Sequence, residues 1–287
     1  MNKIKGFVNG IISSATFGMI PLFSLPVLGA GMMFTSVLSY RFLFATVFLA
    51  ITLLIKGESL KIDWNDLGRL LLLAVFYIVS SVFLMWGYDY MSSGVATTIH
   101  FMYPVITTVI MMVFFKEKKS FWRIMAVIMA IVGVGFLSHT GSGAQLSVVG
   151  VLIVLMSSIG YALYLVAIGQ MKKLKVKGMK LTFYVFLLST IILWAGMLIT
   201  GNVQPIENGN MLINLLLLAL IPTVVSNLTL VEAIKNIGST LTSVLGAMEP
   251  VTAVLLGIVV FSEPFTLMIA IGIVLIVLAV SIIIVNK

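Results

Sequence analysis

The chain is divided into ten apolar runs, at 6–27, 32–55, 67–87, 93–115, 121–138, 147–168, 181–200, 211–231, 238–261 and 265–285. Each is close to the ~20 residues that a helix needs to cross the hydrocarbon core of a bilayer. No water is present there to satisfy backbone N–H and C=O groups, so a spanning segment is either a helix or part of a closed barrel. The runs are too long for barrel strands and lack strict alternation, which excludes the barrel. The pattern predicts an all-α membrane protein of ten transmembrane helices. Only 9% of the 287 residues are charged, against about a quarter in a soluble protein. The first run follows Lys3 and Lys5 as a signal peptide would, but its length, Pro21 and Pro26 assign it as a retained span.

The net charge of +8 is an orientation signal rather than a nucleic-acid surface. With the N-terminus placed in the cytoplasm, the basic residues fall on inside segments, from Lys3 and Lys5 through the Lys172–Lys180 cluster to Lys235 and Lys287. Arg41 is the exception and lies within the second run. This alternation predicts a multi-pass protein of the cell membrane with both termini cytoplasmic. Cysteine is absent, which rules out disulfides and thiolate chemistry.

The two halves resemble each other. An offset of 146 sets His100-Phe101-Met102-Tyr103-Pro104-Val105 on Gly246-Ala247-Met248-Glu249-Pro250-Val251, and carries Phe115 to Phe261, Glu117 to Glu263, and Ser80-Ser81 to Ser226-Asn227. An offset of 144 sets Ser14-Ala15-Thr16-Phe17-Gly18 beside Ser158-Ile159-Gly160-Tyr161-Ala162. The chain is thus read as two five-helix repeats, 1–141 and 147–287. Five is odd, so the second enters the membrane inverted, the arrangement that secondary transporters use.

Glu249-Pro250-Val251 with Gly257 and Phe261-Ser262-Glu263 resembles the ninth span of EamA-type transporters of the drug/metabolite transporter superfamily. Tyr103-Pro104-Val105 with Lys116-Glu117 resembles its twin, and Tyr40-Arg41-Phe42-Leu43-Phe44-Ala45 is similar to that family's second-span arginine motif. Phe17-Gly18 departs from the Trp-Gly usual in the family. The resemblance implies ten helices, cytoplasmic termini and carrier activity, with substrates that range over amino acids, other metabolites and drugs.

The residues themselves point to the same site. A carboxylate at a helix centre costs roughly 2.5–3.5 kcal/mol, so Glu249 needs water, a partner or a ligand. On a helical wheel it shares a small, polar face with Ser239, Thr242, Gly246, Ala253 and Gly257, opposite Val244, Val251, Leu255 and Ile258. The twin face holds Ser93, Ala96, His100, Tyr103 and Thr107. Pro104 and Pro250 interrupt these helices and free the carbonyls of His100 and Gly246. Glu249 and Arg41 either pair with each other or hold opposite ends of a zwitterionic solute. Tyr161, Trp86 and Asn227 are further substrate-binding candidates, with Tyr164 and Ser226 beside them.

The expected function is a secondary carrier that exports a small organic solute by alternating access, with protonation of Glu249 as the coupling step. The alternatives are an intramembrane enzyme using Glu249 and His100 as acid and base, and a non-transporting membrane assembly protein. No phosphate-binding loop is present, His100 and His139 do not sit at metal-ligand spacing, and no cofactor is expected. The expected partners are the solute and the lipid bilayer, with monomer and homodimer both open.

Overall fold

The computed structural model describes residues 2–91, 93–117, 120–137, 147–200, 204–261 and 266–285. His139, Lys118, Lys119, Ser262, Glu263 and Lys287, and the junction between the two repeats, lie outside them. The described residues form thirteen α-helices and one π-helical stretch. Six segments are long and apolar enough to cross a membrane: Lys3–Gly29, Phe34–Ile55, Trp64–Gly87, Val148–Gln170, Gly178–Thr200 and Gly209–Leu245. Shorter apolar helices occupy Tyr103–Phe114, Ile124–Phe136, Met248–Val260 and Leu267–Ile282.

The excess of helices over apolar runs comes from breaks. The first run is α1 (Lys3–Phe17) and α2 (Ile20–Gly29), parted at Gly18 and Met19. After α3 (Phe34–Ile55) and α4 (Trp64–Gly87), the fourth run is α5 (Ser93–His100) and α6 (Tyr103–Phe114), parted at Phe101 and Met102. Helices α7 (Phe121–Leu137), α8 (Val148–Gln170) and α9 (Gly178–Thr200) are continuous. The eighth run comprises α10 (Gly209–Ala219), the π-helical stretch Leu220–Val225 and the start of α11 (Ser226–Leu245). Gly238 then turns the chain within α11 at φ 83°, ψ 167°, a backbone that glycine tolerates and other residues do not. The ninth run breaks at Gly246 and Ala247 before α12 (Met248–Phe261), and α13 (Leu267–Val285) follows.

These breaks correct the reading of the prolines. Pro104 and Pro250 do not kink a continuous helix; each lies in the first turn of a new one, where a missing N–H costs no helical bond. The Gly246 carbonyl is not free either, because the Glu249 N–H donates to it at 2.9 Å. A single wheel drawn from Ser239 to Gly257 fails for the same reason, and Val244 and Val251, placed on its lipid side, are buried.

Packing follows a repeated scheme. Helix α1 lies along α11 as α8 lies along α4, while α3 packs on α9 and α7 on α13. Residues 144 apart touch one another: Phe17 stacks on Tyr161 at 5.6 Å, Phe42 on Phe186 at 5.7 Å, and the Thr46 and Thr190 hydroxyls lie 3.2 Å apart.

Polar ties join the halves at the lysine-rich end. The buried Asp66 carboxyl accepts from Arg69 Nη1 at 3.1 Å and from the Lys175 N–H at 3.2 Å. Beside it the Lys175 ammonium, 2.6 Å from exposed Asp63, holds that carboxyl below its usual range. Lys5 pairs with Glu232 at 3.0 Å, and the Thr240 hydroxyl donates to Glu117 at 2.5 Å. Asp66→Ala leaves the Lys175 N–H without its acceptor, and a loss of about 1–3 kcal/mol is expected. Thermal denaturation in detergent, compared with Asp63→Ala at the exposed partner, measures it.

Candidate functional site

The breaks converge at the centre of the bundle. A Cβ at Gly18 would collide with the Glu249 carbonyl, and one at Gly246 would overlap the Tyr103 hydroxyl. Three helix interruptions are therefore packed against one another, and each exposes ends that a continuous helix would hide. Glu249 lies in the first turn of α12, where the partial positive charge of the helix N-terminus favours a carboxylate. His100 ends α5 and Tyr103 begins α6.

Arg41 and Glu249 are both buried, at 2% and 4% exposure, yet no ion pair joins them. The Arg41 Nε donates to Thr223 Oγ1 at 2.6 Å, and the guanidinium lies 5.8 Å from the Phe17 ring centre and 5.7 Å from that of Phe42. Its Nη2 has no hydrogen-bond partner. The π-helical stretch explains how Thr223 reaches Arg41. Pro222 has no N–H to offer the Leu218 carbonyl, and the Thr223 hydroxyl takes that acceptor instead, at 2.7 Å. The hydroxyl oxygen remains open to the guanidinium.

His100 has a determined tautomer. Ser157 Oγ lies 2.6 Å from the Ser80 carbonyl, which can only accept, so the serine proton is used there. Ser157 Oγ is also 2.9 Å from His100 Nδ1, and that contact requires an Nδ1–H donor. In the neutral ring, Nε2 is then a bare acceptor, and it is buried without a partner. Tyr161 lies among the others: its ring is 4.7 Å from Tyr103 and 5.4 Å from His100.

Asn227 joins the same centre. Its Nδ2 donates to the Tyr77 hydroxyl at 2.9 Å and to the Thr223 carbonyl at 3.0 Å, and its Oδ1 accepts from the Tyr164 hydroxyl at 3.3 Å. The Tyr77 and Tyr164 rings are 5.0 Å apart. Of the sequence candidates, Glu249, Arg41, His100, Tyr103, Tyr161 and Asn227 thus belong to one buried region. Trp86 does not: it is 36% exposed and packs on Phe83 and Tyr90. Sequence reasoning missed Tyr77, Thr223 and Ser157. The offset of 146 that joins Ser80-Ser81 to Ser226-Asn227 also carries Tyr77 to Thr223, and following it further would have found both.

The arrangement offers a donor at Arg41, an acceptor at His100, a carboxyl at Glu249 and an aromatic wall of Phe17, Tyr103 and Tyr161. Charged groups buried without mutual pairing are costly in a low dielectric. Such a constellation suits a ligand that carries the missing partners.

Comparison with known proteins shows which family the chain belongs to. A transporter from Archaeoglobus fulgidus, described as uncharacterized, is 25% identical over 234 residues, covering 81% of this chain and 82% of its own. Another uncharacterized transporter, YojE of Bacillus subtilis, is 26% identical over 278 residues, covering 91% of this chain and 87% of its own. A solved crystal structure superposes over the full length of both chains with a TM-score of 0.85 at 16% identity, a likeness of fold. The EamA-like transporter family model matches twice, at residues 4–139 and 148–285. The chain is a multi-pass membrane protein and belongs to the EamA-like transporter family.

Proposed function

We propose that the protein is a secondary carrier that exports a small zwitterionic metabolite, of amino-acid type, across the cell membrane. Ten spans, formed by two inverted units at 1–141 and 147–287, would alternate access to the central site, with both termini cytoplasmic. The contacts between residues 144 apart support a two-fold relation of the two units, since symmetry mates touch beside such an axis, and the odd number of spans in each unit would make that relation inverted. The inside placement of the basic residues supports the orientation.

The observation that carries the proposal is the pair of buried, mutually unpaired charges, Arg41 and Glu249. Arg41 Nη2, buried without a hydrogen-bond partner among the described residues, would receive a carboxylate, and Glu249 an ammonium or, in its absence, a proton. Competition between solute and proton for one carboxyl would couple export to the proton gradient.

Radiolabel counterflow in proteoliposomes tests the reading against a panel of amino acids. Glu249→Gln is expected to remove uptake driven by an imposed pH gradient, down to the level of protein-free liposomes. Unchanged flux with unchanged pH dependence would rule out coupling through this residue.

A further inference from the structure

A cavity of about 350 Å³ opens at the lysine-rich end of the bundle, between the end of α8, the start of α9 and the middle of α11. Its apolar floor includes Ile168, Leu181 and Val231, and its rim carries Lys172, Lys177 and Lys235. Among the described residues, no acidic side chain lines it. The nearby acids are engaged elsewhere: Asp63 and Asp66 by Lys175 and Arg69, and Glu232 by Lys5, with Lys235 at 3.4 Å.

The cavity lies in line with the central site. On α11, Asn227, Val231 and Lys235 follow at intervals of four, so they share one face with a rise of about 6 Å per step. On α8, Tyr164 and Ile168 stand in the same relation. One helical turn inward from the cavity floor is therefore the bar formed by Tyr77, Asn227 and Tyr164, which reaches from α4 across α11 to α8. Beyond the bar, Asn227 bonds the carbonyl of Thr223, whose hydroxyl holds Arg41. Positive charge thus stands at both ends of this line, at the rim lysines and at the central guanidinium, with an apolar floor and one hydrogen-bonded layer between them.

We propose that this cavity is the cytoplasmic loading vestibule of the carrier, that it selects solutes bearing a carboxylate or phosphate on an apolar body, and that the Tyr77–Asn227–Tyr164 bar is the barrier between it and the central site. The inference rests on the carrier reading above. It also deepens that reading, because the anionic end of the solute would lead and Arg41 would receive it after the bar opens. A rim of like charge over low-dielectric walls concentrates anions locally.

The cysteine-free chain allows a test that needs no flux. Single cysteines at Ile168→Cys and Val231→Cys, in phosphatidylcholine nanodiscs, are reacted with the anionic sulfonatoethyl and the cationic trimethylammonioethyl methanethiosulfonates. With each rate divided by that reagent's rate toward a small free thiol, the anionic reagent is expected to react about tenfold faster at both positions. The preference should fall toward unity in K172Q/K177Q/K235Q, and phenyl phosphate should slow labelling where phenol does not. Should the triple variant fold poorly, K172Q/K177Q alone is expected to remove most of the preference, since Lys235 is the one paired with Glu232. Equal rates, a preference indifferent to the lysines, or no reaction at either cysteine would overturn the vestibule. Protection by phosphatidylglycerol in the bilayer without protection by phenyl phosphate would also overturn it, as the mark of a lipid headgroup seat. These results are independent of counterflow, so failure of the vestibule and failure of the carrier reading are separable.

Discussion

Arg41→Met is expected to abolish counterflow while leaving the protein folded and more resistant to heat. The guanidinium is almost wholly buried and makes one hydrogen bond, to Thr223. Removing it leaves no new orphan, because the Thr223 hydroxyl keeps the Leu218 carbonyl as acceptor. Methionine retains the length of the stem and places sulfur between the Phe17 and Phe42 rings, a favourable contact. Replacing buried charge by apolar volume of similar size often stabilises by about 1–4 kcal/mol, so the midpoint of thermal unfolding should rise. Arg41→Ala differs, since it leaves a hole, and a large-to-small change in a core costs roughly 2–5 kcal/mol. Arg41→Lys keeps the charge but loses the planar fork, and should retain only part of the flux. Normal counterflow in Arg41→Met would reduce the residue to a packing element. Unfolding of Arg41→Met, with Arg41→Ala no worse, would show instead that the charge holds the fold.

Much of the architecture is legible from charge and hydrophobicity, because lipid leaves the backbone few choices. The apolar runs became helices, and two residues that the offset of 144 sets beside each other, Phe17 and Tyr161, lie in contact. The breaks were less legible. Pro104 and Pro250 signalled an interruption, but not that the helix would end before them and restart, since that depends on Tyr103 packing into the space left by Gly246. The first run carries the same signal in Pro21, which lies in the first turn of α2, but nothing in the sequence shows that the Glu249 backbone packs against Gly18 at the break. Pro222 signalled irregularity through its missing N–H, but not that the Thr223 hydroxyl would take the Leu218 carbonyl left without that donor. Of the site, ionisable and aromatic residues beside prolines were readable singly. Tyr77 and Ser157 were not, because ordinary helix sequence surrounds them and only the fold brings them to Asn227 and His100. Trp86 shows the converse: a large aromatic residue near a helix end belongs to the rim.

Gly246→Ala is the second substitution expected to have a large effect. The glycine is not required for its backbone, which is right-handed at φ −53°, ψ −19°. It is required because a methyl group would take the place of the Tyr103 hydroxyl. Tyr103 cannot swing aside, as its ring is enclosed by Tyr161 at 4.7 Å, His100 at 5.3 Å and Phe101 at 5.6 Å. Overpacking of this kind costs about 1–3 kcal/mol. Because Glu249 is three residues away and donates its N–H to the Gly246 carbonyl, the displacement reaches the carboxyl, and counterflow should fall at least about tenfold, a loss of some 1.4 kcal/mol in the transport barrier. Tyr103→Phe removes the atom nearest the new methyl. The double variant should therefore be more stable than the two single losses added together, by about 0.5–3 kcal/mol, the range found for residues in contact. Thermal unfolding of the four proteins in the cycle measures this term. Strict additivity would mean that Gly246 and Tyr103 do not meet, and that the breaks of the fourth and ninth runs are not packed against each other.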